Sequence, residues 1–506
     1  MKKGLKSIVL AILIAMVAFP AAQAEHLIIM AANDTHSQIE PASDGKGGVL
    51  RRLAVYDQAR RDNKNVLVVH AGDAVQGTNY FSLYGGKVEY SLIDSMKYDI
   101  VILGNHEFDN GIDSLAYYYK NVKAAKLSTN YDFSDTKLAG EFQPWIIKTY
   151  GDKHVAFIGL NVNPVGMVSD GNFKGLRYLN PMDVADATAK YLKEVQKVDY
   201  AVMISHIGYD SMDPDEPNDS LLVTKSHYID FVIGGHSHTV LKPGSRFSNV
   251  LNADGKVVVI GQNGKSGKYV GKYDLDLETG ELVYTLIDID SKLDEAASKY
   301  TSLQAWLAPF KHGVDSLMNN PVGQSARFMK NNSWAAQNWI CDAVMQIIPK
   351  LTKQRAQFAI MNKGGIRVDM PKGVVTEGLL GSMFPFDNRF VILNITGKDL
   401  LEALKVMAYR DGDAVSKELK VAYNDKKEIV SAKLNGKEIK PNKTYQMLTI
   451  DFLANGGDYL NSFKNCERLF VNDVKYGTRV LDYVKELTQQ GKMIDAPDDA
   501  RMYLKK

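Results

Sequence analysis

Gly104-Asn105-His106-Glu107-Phe108-Asp109-Asn110-Gly111 follows directly on the apolar run Tyr98 to Leu103. A run that reads as a buried β-strand, ends in glycine and hands the chain at once to Asn, His and two acids delivers ligand-type side chains to a sheet's carboxyl edge. That edge is where α/β proteins build their sites. The pattern recurs. His26 to Ala32 runs into Asn33-Asp34-Thr35-His36, Asn65 to Val69 into His70-Ala71-Gly72-Asp73, Ala201 to Ile204 into Ser205-His206, and Phe231 to Ile233 into Gly234-Gly235-His236-Ser237-His238. One histidine at a strand end is usually hydrogen-bonded structure; five strand ends carrying Asp, Asn or His are a site. Carboxylates and imidazoles with no cysteine among them suit borderline divalent ions such as Zn, Mn, Co or Fe, not a structural thiolate zinc.

Asp34-x-His36, Gly72-Asp73, Gly104-Asn105-His106-Glu107, His206 and Gly235-His236-x-His238 are similar in order and rough spacing to the motifs of the calcineurin-like metallophosphoesterases. The fuller string Gly104 to Gly111, with Asn362-Lys363-Gly364-Gly365-Ile366-Arg367 and Phe452-Leu453-Ala454-Asn455-Gly456-Gly457-Asp458, resembles the two-domain 5′-nucleotidase and UDP-sugar hydrolase family. The resemblance spans nearly the whole mature chain. It implies one metal on Asp34, His36, Asp73 and His238, and a second on Asp73, Asn105, His206 and His236, with Asp73 bridging. Two such cations polarise a phosphoryl group, activate a water for direct attack and steady the charge of an in-line transition state, with no covalent phospho-enzyme. His238 stands where some relatives carry an amide, and an imidazole is at least as good a ligand.

The same resemblance gives His106 and Asp109 to catalysis. An imidazole three residues before a carboxylate in a tight loop can be held in one tautomer, its other nitrogen left to face phosphoryl oxygens or a leaving group. The plainer alternative is that Asp109 caps the helix that follows. Downstream, Gly364-Gly365-Ile366-Arg367 allows close backbone approach and offers a guanidinium fork for phosphate oxygens. By resemblance Arg367 binds phosphate, Asn388 and Arg389 lie in a segment used for substrate contacts, Phe452 stacks on the base and Asp458 holds a ribose hydroxyl. Core packing is the alternative for Phe452. The chain departs from the family where a second aromatic is usual, since Asp411 to Leu419 contains none. Lys363, and Asn331-Asn332-Ser333-Trp334, also differ from the family pattern. These departures bear on which nucleotide is used.

At the start of the chain, Lys2, Lys3 and Lys6 precede the apolar run Ile8 to Phe19, and Ala22-Gln23-Ala24 supplies small residues for cleavage. Residues 1–24 therefore read as a secretory signal with Glu25 the first mature residue, placing the protein in the periplasm or outside the cell without a stable membrane anchor. Removing those three lysines from 61 basic residues leaves 58 against 59 acidic, so the formal charge moves from +2 to −1 and no nucleic-acid polymer is implied as a partner. Cys341 and Cys466 are the two cysteines and can pair or stay free.

Strands alternate with helical stretches, among them Leu50 to Arg61 and Pro181 to Lys197, the pattern of a layered α/β domain. The resemblance implies a four-layer α/β/β/α sandwich over 25–293. A connecting helix is expected over 294–320, with Tyr300, Leu303, Leu307, Phe310, Val314 and Leu317 at helical spacing. A second α/β substrate-binding domain follows over 321–506, with helices at Ala335 to Ile348, Lys398 to Tyr409 and Asp473 to Gln489. The reading is an exported two-metal phosphohydrolase acting on nucleoside 5′-monophosphates. Enzyme alternatives are a 2′,3′-cyclic phosphodiesterase with 3′-nucleotidase activity and a UDP-sugar pyrophosphatase. A periplasmic nucleotide-binding protein is the alternative from another class, one that has no use for so full a ligand set.

Overall fold

The structure, a computed structural model, describes residues 25–211 and 216–505. The expected leader, residues 1–24, lies outside the described residues. Two six-stranded sheets build the first part of the chain. In one, β1 (His26–Ala32), β2 (Val66–Ala71) and β3 (Ile100–Ile102) run parallel side by side. In the other, β4 (Tyr200–His206) and β5 (Phe231–Ile233) are parallel neighbours.

Side-chain alternation explains the layering. In β1, Leu27, Ile29 and Ala31 share a core with Phe157, Val202, Ile204 and Phe231 of the second sheet. Ile28 and Met30 face the other way, into a core with Leu53, Tyr56 and Ile93 of the helices Val49–Asp62 and Lys87–Ser95. The outer face of the second sheet is covered by Pro181–Glu194 and Asp219–Lys225. Both faces of the central strands are buried, which is why they read as unbroken apolar runs. The four-layer α/β/β/α sandwich is the observed arrangement.

The later part folds around a five-stranded sheet ordered Ala414–Val415, Phe358–Met361, Thr444–Ile450, Arg389–Thr396, Glu467–Lys475. Its core takes in the helices Trp334–Leu351, Gly397–Tyr409 and Tyr476–Gln489. The linking helix Thr301–Met318 is shorter than expected: Asp294–Ala297 is a separate turn, and Tyr300 sits at the N-cap. Its Leu303, Trp306, Phe310 and Val314 pack on the first core, and its end meets the helix Glu377–Met383 of the later part, where a side chain at Gly378 would strike Met318. The helix expected from Asp473 begins at Tyr476, because Asp473 to Lys475 continue the edge strand.

Cys341 and Cys466 are both free thiols. Among the described residues no helix is long and apolar enough to cross a membrane.

Candidate metal centre

Parallel strands share a direction, so β1, β2 and β3 deliver their carboxyl ends to one edge, and those of β4 and β5 arrive from the facing sheet. His206 Nδ1–H donates to Ala71 O at 2.7 Å, which pins the end of β4 to the end of β2. Past these ends the chain turns sharply. Asp34, His36, Asp73, His236 and His238 all have left-handed backbone, with φ between 48° and 77°. Such conformations cost non-glycine residues about 1–3 kcal/mol each and cluster at functional sites. Gly104 has its own reason: a side chain there would run into the Asp73 carboxylate and the His206 ring.

Three groups of possible ligand atoms result, each within 4.8 Å of one another: Asp34, His36 and His238; His36, Asp73 and His106; Asp73, His206 and His236. Asn105 joins the last, its Oδ1 lying 3.0 Å from His236 Nδ1. His36 Nε2 and His238 Nε2 are 2.9 Å apart, both turned inward, while His36 Nδ1–H donates to Gln76 O at 3.0 Å. Two atoms test whether a cation fits. Asp34 Oδ1 and His206 Nε2 are buried and hydrogen-bonded to nothing. Asp73 Oδ2 lies 3.2 Å from His206 Nε2 without the alignment of a hydrogen bond. Buried polar atoms are nearly always partnered, so orphans converging from a carboxylate and an imidazole fit a divalent ion between them.

The two buried carboxylates draw positive charge to this centre, and a cation bound there would have to displace the proton they favour on His206. Burial works against ionising Asp34 and Asp73, but the His206 imidazole leads a set of histidines that holds both well below the usual carboxylate range. His206 is driven up to about 10, its burial outweighed by Asp73 and Asp34, while burial and the His206 charge press His236 down to about 4.

His106 Nδ1–H donates to Asp109 Oδ2 at 2.8 Å, and the N-cap of the next helix is Gly111, so Asp109 serves the imidazole. Burial is opposed by the Asp109 and Asp73 charges, which leave the His106 pKa raised. Arg367 comes from the later part of the chain, and its guanidinium carbon lies 5.6 Å from the centre of the Phe386 ring, which is itself stacked on His106; burial lowers its pKa, against the pull of the Asp109, Asp73 and Asp34 charges. Lys265 stands near it, its pKa lowered by burial and then by Arg367.

The remaining substrate candidates are spread out. Arg389 and Phe452 meet at Asp451, whose Oδ1 accepts both backbone N–H groups at 3.0 and 2.9 Å. The Arg389 side chain itself bonds Asp473 O, and the Asn388 carbonyl accepts Tyr476 N–H. Phe452 lies half-buried with its ring against Gly457. Asp458 crosses to the first part, its N–H donating to Gly166 O at 2.7 Å, and its Oδ2 lies 2.9 Å from Arg410.

Two bracing residues escape a reading of the sequence. Glu107 accepts the N–H groups of Gly104, Asp73 and Ala74 at 2.6, 3.0 and 2.7 Å. Asn33 donates to Asp34 Oδ2 at 2.6 Å and to Gly264 O at 2.8 Å. Glu107 stands in the quoted Gly104 to Glu107 motif and Asn33 beside Asp34, but neither position tells which backbone groups the side chain reaches.

Comparison with known proteins agrees with this fold. The family profile described as calcineurin-like phosphoesterase matches residues 27–240, and that described as 5′-nucleotidase, C-terminal domain, matches residues 317–465. Snake venom 5′-nucleotidase of Naja atra is 27% identical over 489 residues, spanning 85% of this chain and 90% of that protein. Human 5′-nucleotidase is 26% identical over 504 residues, spanning 89% and 86%. A 5′-nucleotidase precursor from Thermus thermophilus has a solved structure that aligns with a TM-score of 0.80 at 27% identity, over 95% of this chain and 99% of that one.

Proposed function

This chain belongs to the two-domain 5′-nucleotidase family and is a metal-dependent phosphoester hydrolase; from that premise we propose that it is exported and releases phosphate from nucleoside 5′-monophosphates. The observation that carries the reading is Arg367. A guanidinium from the later part of the chain and the His106 imidazole of the first lie against the same Phe386 ring, bringing a phosphate grip beside a hydrolytic centre.

The residues that would hold two cations are Asp34, His36, Asp73 and His238 for one, and Asp73, Asn105, His206 and His236 for the other. Bound there, the cations would supply Lewis acidity to the phosphoryl group and to the attacking water. The remaining work falls to side chains. Asp109 fixes the His106 ring and leaves its Nε2 to meet charge developing on the phosphoryl oxygens or to protonate the leaving ribose oxygen. Arg367 clamps the phosphate, Phe452 offers the base a face and Asp458 a hydroxyl acceptor for the ribose.

The test is phosphate release from AMP, GMP, UMP and CMP, a 2′,3′-cyclic nucleotide, UDP-glucose and 4-nitrophenyl phosphate, with added Mn, Co or Zn. Preference for the 5′-monophosphates supports the reading. Faster turnover of the cyclic nucleotide or the nucleotide sugar replaces it.

A further inference from the structure

Phe386 lies in the loop between the helix Glu377–Met383 and the strand Arg389–Thr396. It stands between the two parts of the chain. Its ring is stacked on the His106 imidazole, centroids 6.1 Å apart and planes 29° from parallel. The guanidinium carbon of Arg367 lies 5.6 Å from the same ring's centre. Both separations fall in the range where an aromatic face attracts a planar ring or a cation.

The loop is not free to drift. Phe384, two residues earlier, is buried against Trp339 and Tyr476. The Arg367 N–H donates to Met383 O at 3.0 Å, so the turns that carry Arg367 and Phe386 form one piece. His106 is fixed from its other side by Asp109.

We infer that Phe386 is a positioning residue: its flat face sets the imidazole of His106 and the guanidinium of Arg367 at the separation a bound phosphoryl group requires. One ring face lies within reach of both groups, so a single rigid surface fixes their spacing. The role rests on the hydrolase reading and is indifferent to which nucleotide is cleaved.

The experiment is a set of double-mutant cycles. Phe386→Leu and Phe386→Tyr are made alone, and Phe386→Leu is combined with His106→Ala and with Arg367→Ala. For each, kcat and KM are measured on AMP and on 4-nitrophenyl phosphate, with bound metal and Tm as controls. Phe386→Leu should lower kcat/KM about 10-fold on both substrates at unchanged metal content, while Phe386→Tyr, which keeps the face, stays within about 2-fold of native. The leucine effect should shrink to under about 2-fold once His106 or Arg367 is gone, because the residue acts through them. Phe386→Met, of similar volume, replaces leucine if that variant's Tm falls. Native-like activity without the ring overturns the inference, as does a loss that multiplies in full on top of both alanine variants. Hydrolysis of 4-nitrophenyl phosphate but not AMP would defeat the nucleotide reading alone, and the cycles would then be read on the former.

Discussion

Glu107 Oε2 accepts the backbone N–H of Asp73 at 3.0 Å, so a side chain of the Gly104 to Gly111 loop holds the left-handed turn at the middle of the cluster. Burial and the Asp73 charge push the Glu107 pKa up to about 7, and the His206 charge with the Gly104 and Ala74 N–H groups pulls the other way. Glu107→Gln keeps the shape but turns one acceptor into a donor facing N–H groups. Measured at pH 8 by urea unfolding of the metal-free protein, it should cost about 1–3 kcal/mol, and metal affinity should fall about 10–100-fold. An unchanged midpoint with unchanged affinity would remove the bracing role.

Chemistry and grip should separate kinetically. His106→Ala should lower kcat by about 10²-fold or more with metals retained, whereas Arg367→Ala should chiefly raise KM, because it holds phosphate in the ground state as well. Metal loss in the His106 variant would make that residue a ligand, in keeping with its place beside His36 and Asp73.

Phe452 is the single aromatic face assigned to the base. Tyr423 is buried in the core of the later part, and Tyr409 is exposed at a helix end. Stacking on one face is worth about 1–3 kcal/mol and tolerates every base. The kcat/KM values for AMP, GMP, UMP and CMP should therefore lie within about 10-fold, and Phe452→Ala should weaken all four alike while sparing 4-nitrophenyl phosphate. Strong selection for one base in the native protein contradicts this.

Glu89 is 4% exposed, and burial, only partly opposed by the neighbouring Ser37 hydroxyl, lifts its pKa from 4.5 to about 7. A folded-state pKa above the unfolded value contributes stability that is fully present below 4.5 and is lost as pH rises through about 7. The whole effect is about 3 kcal/mol. Glu89→Gln cannot ionise and escapes the loss. Its stability relative to native, from urea midpoints of metal-free protein, should improve between pH 5 and pH 8; a constant difference would place an unseen partner on Glu89.

Much of this architecture is legible in the chain because parallel strands buried on both faces leave unbroken apolar runs, and His26–Ala32 and Phe231–Ile233 match their runs residue for residue. The ligand side chains stand out because Asp, Asn and His so placed have little other use. What stays hidden depends on contacts between distant segments. Glu107 and Asn33 bond backbone groups and a ligand brought in by the fold, which no local pattern encodes. Phe386 is set against His106 by the burial of Phe384, so a segment read for Asn388 and Arg389 meets the centre through its aromatic instead. Asp473 to Lys475 read as helical in the sequence, and they are strand because Arg389 pairs with Lys475 at the sheet edge.

A pair of cations sharing Asp73 is the proposal on which this chemistry rests, and it is tested by metal content and phosphate release for Asp73→Asn against native protein, each stripped and reloaded. Two equivalents of metal in the native chain, fewer in the variant and a fall in turnover of about 10²-fold or more are the predicted result. Near-native phosphate release from Asp73→Asn, or a native protein fully active with one equivalent, would contradict it.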